Sequence, residues 1–125
     1  MPELQIIALI AGFAVKHFLA DFVLQTTAMV HEKGYYGRRG GLIHAGWHAA
    51  LSMPVLLIAA PSFMVALALG LAEGVVHYHL DYTKERLARN LGDTPKDQRF
   101  WVLLGLDQLL HHLTYAGMIA LLLKV

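Results

Sequence analysis

The chain of 125 residues contains no cysteine and few charged side chains. The absence of cysteine excludes a disulfide scaffold, a cysteine-ligated zinc site and a thiol nucleophile. Charged residues make up 15% of the sequence, against about 25% in ordinary soluble domains. The formal net charge is only +1, so the composition gives no basis for binding nucleic acid.

Hydrophobic residues are present in excess, at 57% of the chain. One small core cannot bury this much apolar surface. We therefore predict an all-α integral membrane protein, folded as a four-helix bundle with a single domain over residues 1–125. With about 20 residues needed for each span, the chain has room for four spanning helices and little else.

Glycine, proline and capping residues divide the chain into these helices. The glycine- and arginine-rich stretch 37–41 ends the first one, and Pro61-Ser62 indicates a tight turn in the middle of an uncharged run. Gly92 is a typical stop signal, and Thr94-Pro95 is a typical start. The predicted helices cover about 3–30, 42–60, 62–91 and 95–123.

Basic residues are concentrated around the first and third predicted loops. They are Lys33, Arg38, Arg39, Lys84, Arg86, Arg89, Lys96 and Arg99. The turn at Pro61 contains no basic residue. Because cytoplasmic loops of membrane proteins carry the excess of lysine and arginine, we expect these two loops in the cytoplasm and both termini outside it.

Every predicted span carries two side chains of metal-ligand type that are four residues apart. The pairs are His17 and Asp21, His44 and His48, His77 and Asp81, and Asp107 and His111. This spacing places both members of a pair on one face of a helix. All four pairs fall in the predicted cytoplasmic half of the bilayer. Because facing helices of a bundle can build a shared metal site, we predict that these eight residues bind metal.

The acidic residues in the spans strengthen this prediction. Asp21, Glu73, Asp81 and Asp107 would bring four carboxylates together, and each costs about 2.5 kcal/mol or more in a membrane if unpaired. Divalent cations would neutralise them. Imidazole and carboxylate ligands suit zinc, iron or manganese, and we expect one or two ions.

Other polar residues on the same helices have predicted supporting roles. Glu73 is a candidate general base, and Lys84 can stabilise developing negative charge or extend its ammonium group to the membrane surface. Gln25, Gln108 and Tyr115 can orient the ligands or the substrate. Lys16 is expected to pair with one of the acids or to extend its ammonium group to the membrane surface.

The competing interpretation is that the histidines only make packing hydrogen bonds between helices.

Three short motifs resemble those of a known family. They are His17-x-x-x-Asp21-Phe22-x-x-Gln25, His77-x-x-x-Asp81-x-x-Lys84 and Asp107-Gln108-x-x-His111. They resemble the uncharacterised bacterial and phage membrane proteins grouped as domain of unknown function 3307, over nearly the whole chain. The resemblance implies a small multi-pass protein of the bacterial inner membrane and brings no activity with it.

The preferred functional hypothesis is a metal-dependent hydrolase at the cytoplasmic face, acting on a lipid-linked or amphiphilic phosphoester or amide. Its partners would be membrane lipids, with a homo-oligomer left open and no nucleic acid. A di-iron oxidation centre would use the same ligands. The alternatives are an ion or proton transporter or metal-handling protein, a b-type cytochrome, and a bundle whose polar stripe is purely structural.

Overall fold

The computed structural model describes residues 1–125 and consists of helices joined by short turns, which confirms the all-α class. The five α-helices are α1 (Glu3–Phe18), α2 (Thr27–Lys33), α3 (Arg39–Leu56), α4 (Phe63–Leu91) and α5 (Gln98–Leu122). A π-helical turn, Leu19–Val23, continues directly from α1.

The first helix differs from the prediction of one element over 3–30. The π-helical turn closes with a hydrogen bond from the Leu24 N–H to the Leu19 carbonyl (2.8 Å), and the chain then changes direction. Thr26 caps the separate helix α2 by accepting a hydrogen bond from the Met29 N–H (3.2 Å). No glycine or proline marks this break, so the apolar pattern runs across it unchanged.

The remaining helices begin and end close to the predicted positions. Ser62 caps α4 by accepting a hydrogen bond from the Val65 N–H (3.3 Å), and Gly92 ends that helix with a left-handed φ of 65°. At the start of α5, Arg99 donates two hydrogen bonds, at 2.5 and 2.8 Å, to Asp93 in the preceding loop. This contact holds the pKa of the Asp93 carboxyl below its usual range.

Helices α3 and α4 form the most extensive contact, and α1, α2 and α5 pack around them. Two glycines of α4 allow the close approach. A Cβ atom at Gly74 would lie 3.2 Å from the Ala49 Cβ, and one at Gly70 would lie 3.2 Å from the Met53 sulfur. Small residues at this contact let the two backbones lie close together.

The interior is divided into an apolar half and a polar half. The apolar core consists of Leu9, Phe13, Val55, Leu56, Ala66, Tyr115, Met118 and Leu122. Of 26 buried residues, however, 11 are polar or charged, and these form the other half. The outer surface is strongly apolar, with residues such as Ile7, Phe22, Leu71 and Leu109 more than half exposed. Charged groups buried beneath so apolar an outer surface are uncommon in soluble proteins.

Two helical segments are long and apolar enough to cross a membrane, Glu3–Val23 and Phe63–Leu91. The predicted four spans are therefore not confirmed. Helices α3 and α5 carry more polar residues, among them His44 and His48 on α3 and Asp107 and His111 on α5. These side chains are buried, so they lower the average hydropathy of each helix without contributing to its outer surface.

The close contact between α3 and α4 can be tested at Gly74. We expect Gly74→Val to destabilise the protein by about 1–3 kcal/mol, because the added side chain overlaps Ala49. The matched control is Gly105→Val, since a side chain at Gly105 meets no atom within 4 Å. Thermal unfolding in detergent, followed by circular dichroism, measures both variants. Equal losses of stability would contradict the close approach.

Candidate metal centre

Four side chains from three segments form a first group of ligand atoms. Asp21 comes from the π-helical turn, His44 and His48 from α3, and His77 from α4, and their ligand atoms all lie within 4.8 Å of one another. Asp21 Oδ1 is 2.8 Å from His48 Nε2 and 3.1 Å from His44 Nε2. Three imidazoles and one carboxylate are a ligand set that suits a four-coordinate zinc ion.

A second group consists of His77, Asp81 and His111, again with ligand atoms within 4.8 Å of one another. Asp81 Oδ2 lies 3.3 Å from His77 Nε2, and Asp81 Oδ1 lies 3.4 Å from His111 Nε2. His77 belongs to both groups. Its ring centre is 3.5 Å from that of His48 and 4.0 Å from that of His111.

Several of these atoms are buried without a hydrogen-bond partner. They are both ring nitrogens of His44 and of His77, and His111 Nε2. Beside the groups, Asp107 Oδ1 is buried without a partner as well. Each unsatisfied buried group costs about 1–3 kcal/mol. Coordination to a divalent cation would satisfy the nitrogen and oxygen lone pairs together, so the residues present fit a metal ion of the zinc, iron or manganese type.

Two predicted ligands lie beside these groups. His17 Nδ1 is 2.8 Å from the Tyr115 hydroxyl, and its Nε2 lies 2.8 Å from Gln108 Oε1 and 3.0 Å from Asp21 Oδ2. Both nitrogens of His17 are thus engaged by protein groups, and the ring supports Asp21. The carboxylate of Asp107 lies 3.5 Å from His111 Nδ1, on the side of the ring away from Asp81.

Hydrogen bonds from the helices orient the ligands. His111 Nδ1 donates to the Asp107 backbone carbonyl (2.7 Å), which leaves Nε2 as the nitrogen that faces Asp81. Gln25 donates to the Asp21 carbonyl (3.0 Å), on the turn that carries the first group's carboxylate. The three residues predicted to orient the site all make such contacts. Gln25 contacts Asp21, and Gln108 and Tyr115 both contact His17, which in turn supports Asp21.

Glu73 lies behind the first group. It forms a buried ion pair with Lys16 and accepts a hydrogen bond from the Ser52 hydroxyl (2.5 Å). Its Oε1 atom is 3.9 Å from His48 Nδ1 and 4.0 Å from His77 Nδ1. Lys16 and Ser52 occupy both its oxygens, and Glu73 does not line the polar cavity described below, so its role as a general base stays a prediction. This geometry favours a role in holding the two rings.

Two site residues were missed by the sequence analysis. Ser52 follows His48 by four residues, so extending the spacing along α3 would have found it. Lys33 was assigned to a cytoplasmic loop, but it lies at the end of α2 and its Nζ is 3.0 Å from Asp81 Oδ2. No pattern in the sequence indicates this contact, because it depends on the turn between α1 and α2.

The two buried lysines change the charge balance of the interior. The polar half holds four carboxylates, of which Glu73 pairs with Lys16 and Asp81 with Lys33, while Asp21 and Asp107 have no lysine partner. With the histidines neutral, the remaining charge is −2, which one divalent cation would neutralise. The carboxylates alone, without the lysines, predict one or two ions.

A polar cavity of about 130 Å³ lies beside both groups, since Asp21 of the first and Asp81 of the second line it. Asp107, Lys33 and Lys84 line it as well, and Lys84 pairs with Glu85 at 2.7 Å. Val30 of α2 and Leu104 of α5 also line it. The cavity is thus formed at the end of the bundle where α2 covers the polar half of the interior.

These features define a helical protein with an apolar exterior and a buried histidine and aspartate cluster that can hold a metal ion. The chain belongs to the family described as "Protein of unknown function (DUF3307)", whose model matches residues 9–124. This confirms the family resemblance, and the matched region contains every residue of both ligand groups. No curated protein and no solved structure matches the chain.

The buried ion pair behind the site can be tested with a double-mutant cycle. Lys16→Met would leave the Glu73 carboxylate buried without its partner, and we expect a loss of about 3–5 kcal/mol. The double variant Lys16→Met/Glu73→Gln removes both charges and should recover most of that loss. Unfolding of the wild type, Lys16→Met, Glu73→Gln and the double variant by denaturing detergent measures the four free energies of the cycle. Additive losses would contradict the coupling of the two residues.

Proposed function

We propose that the protein is a membrane-embedded metalloenzyme that hydrolyses an anionic amphiphilic substrate at the cytoplasmic face of the bacterial inner membrane. The observation that carries the proposal is the convergence of Asp21, His44, His48, His77, Asp81 and His111 in two overlapping groups beside a polar cavity. The ligand atoms in these groups that have no hydrogen-bond partner support a bound cation over a purely structural network.

The distribution of polar and apolar residues supports a multi-pass arrangement. The helices expose apolar side chains around the bundle and bury their polar ones, as chains in lipid do. The basic residues near α2 and in the loop between α4 and α5 would lie in the cytoplasm, with both termini outside. In this orientation the polar cavity opens towards the cytoplasmic surface.

The closed apolar half of the bundle favours chemistry at one face over transport. Leu9, Phe13 and Leu56 are fully or almost fully buried and fill the interior beyond the polar half. An ion moving through the bundle would have to cross this core without polar partners, at high cost. A substrate that approaches from the membrane surface needs only the cavity.

The residues around the cavity suit hydrolysis of a phosphoester or amide. A divalent cation supplies positive charge that polarises a phosphoryl or carbonyl oxygen. Lys33 and Lys84 line the cavity and can bind an anionic group of the substrate. Asp107, whose Oδ1 atom has no partner, can accept a proton from the attacking water. The water oxygen bonds to phosphorus or carbon, and the leaving group departs with a proton.

Metal content tests the proposed site. We expect wild-type protein purified in detergent to hold about one zinc, iron or manganese ion per chain, and we expect His77→Ala to lose it, because His77 belongs to both ligand groups. The matched control is His79→Ala on the same helix, since His79 is exposed and contacts Tyr36 (2.9 Å). Elemental analysis by mass spectrometry measures the ions. Well-folded wild-type protein that takes up no ion would refute the site.

The role of Asp107 can be separated from metal binding. We expect Asp107→Asn to keep its metal but to lose hydrolysis by about 10²-fold or more, the usual contribution of a general base. Chromogenic phosphodiester and amide substrates in mixed micelles provide the assay. Asp97→Asn is the control, since Asp97 lies in the exposed cap of α5, where it contacts Thr94. Full activity of Asp107→Asn would exclude this residue as the base.

A further inference from the structure

The two ligand groups differ in the charges that face them. In the first group, Lys16 lies 3.1 Å from His48 Nδ1 and is paired with Glu73, and no lysine contacts the ligand carboxylate of Asp21. The contact is on the side of the His48 ring away from Asp21, which faces Nε2 at 2.8 Å. Glu73 therefore neutralises the positive charge of Lys16, and this ion pair lies outside the space between the four ligand atoms.

In the second group, a lysine contacts the ligand carboxylate itself. Lys33 Nζ lies 3.0 Å from Asp81 Oδ2, and the same oxygen lies 3.3 Å from His77 Nε2 and from His44 Nε2. Lys33 is buried, with 8% of its surface exposed, so little water screens its charge. A divalent cation bound by Asp81 would face this ammonium group at short range and be repelled by it.

We propose that the second group is a latent divalent-cation site that Lys33 keeps free of metal. Its ligands are Asp81 and His111, with Asp107 beside them and His77 shared with the first group. In the wild-type protein one divalent cation occupies the first group, and the ammonium group of Lys33 takes the place of a second. This inference rests on the metal site proposed above.

The charge balance of the interior supports this arrangement. With Lys16 and Lys33 present and the histidines neutral, the four carboxylates of Asp21, Glu73, Asp81 and Asp107 leave a charge of −2, which one divalent cation neutralises. Replacing Lys33 by a neutral side chain adds one uncompensated negative charge next to Asp81. It also removes the cation that pairs with Asp81 Oδ2, while Oδ1 of the same carboxylate lies 3.4 Å from the unpartnered Nε2 of His111. Both changes favour uptake of a second cation with imidazole and carboxylate ligands.

Metal stoichiometry at fixed free zinc tests the proposal. Full-length protein in detergent is dialysed against buffered zinc, and the bound ions are counted by mass spectrometry. We expect one ion in the wild type and two in Lys33→Met, which keeps much of the side-chain volume but removes the charge. The double variant Lys33→Met/His111→Ala should return to one. Lys33→Arg and Lys84→Met are controls that keep one ion, since Lys84 lines the same cavity but pairs with Glu85.

The outcomes separate this inference from the proposed function. One ion in both the wild type and Lys33→Met would overturn the latent site and leave the first site intact. Two ions in the wild type would also overturn it, because Lys33 would not exclude the second. No ion in either protein would overturn both proposals. Size-exclusion chromatography checks folding, and Lys33→Gln replaces Lys33→Met if that variant aggregates.

Discussion

The structure depends on keeping carboxylates charged inside a bundle whose outer surface is apolar. Asp21 and Asp81 lie among helices that leave little water to solvate them, so each needs cationic or hydrogen-bonding partners from the protein. Asp21 contacts His17, His44 and His48. Asp81 contacts histidines from α3, α4 and α5 and a lysine from α2. The two side chains thus tie every helix of the bundle to one point.

The same constraint explains why the interior has two halves. Buried polar groups need partners, so they gather at one level, and apolar residues of α1, α3, α4 and α5 fill the rest. The apolar half holds the helices together by packing, which needs no specific hydrogen-bond partners. The polar half can therefore contain ligand atoms that have no hydrogen-bond partner. Such atoms lower the stability of the fold and are typical of functional sites.

Lysines give the two ligand groups different properties. Lys16 neutralises Glu73 and so stabilises the carboxylate that lies behind two histidine rings. Lys33 contacts a ligand carboxylate directly and borders the cavity. The two buried lysines therefore have different roles. Lys16 supports the metal ligands, whereas Lys33 places a positive charge at the position that a substrate anion or a second cation would occupy.

The all-α class and the histidine and aspartate pairs can be predicted from the sequence alone, because helical spacing places residues four apart on one face. Capping residues such as Ser62 and Gly92 act locally, so their effects can be read from neighbouring residues. Tertiary structure alone decided which ligands meet. The π-helical turn and the break at Leu24–Thr26 rotate the chain, aim Asp21 at α3 and bring Lys33 to Asp81. These contacts join residues far apart in sequence, and no local pattern encodes a distance between helices.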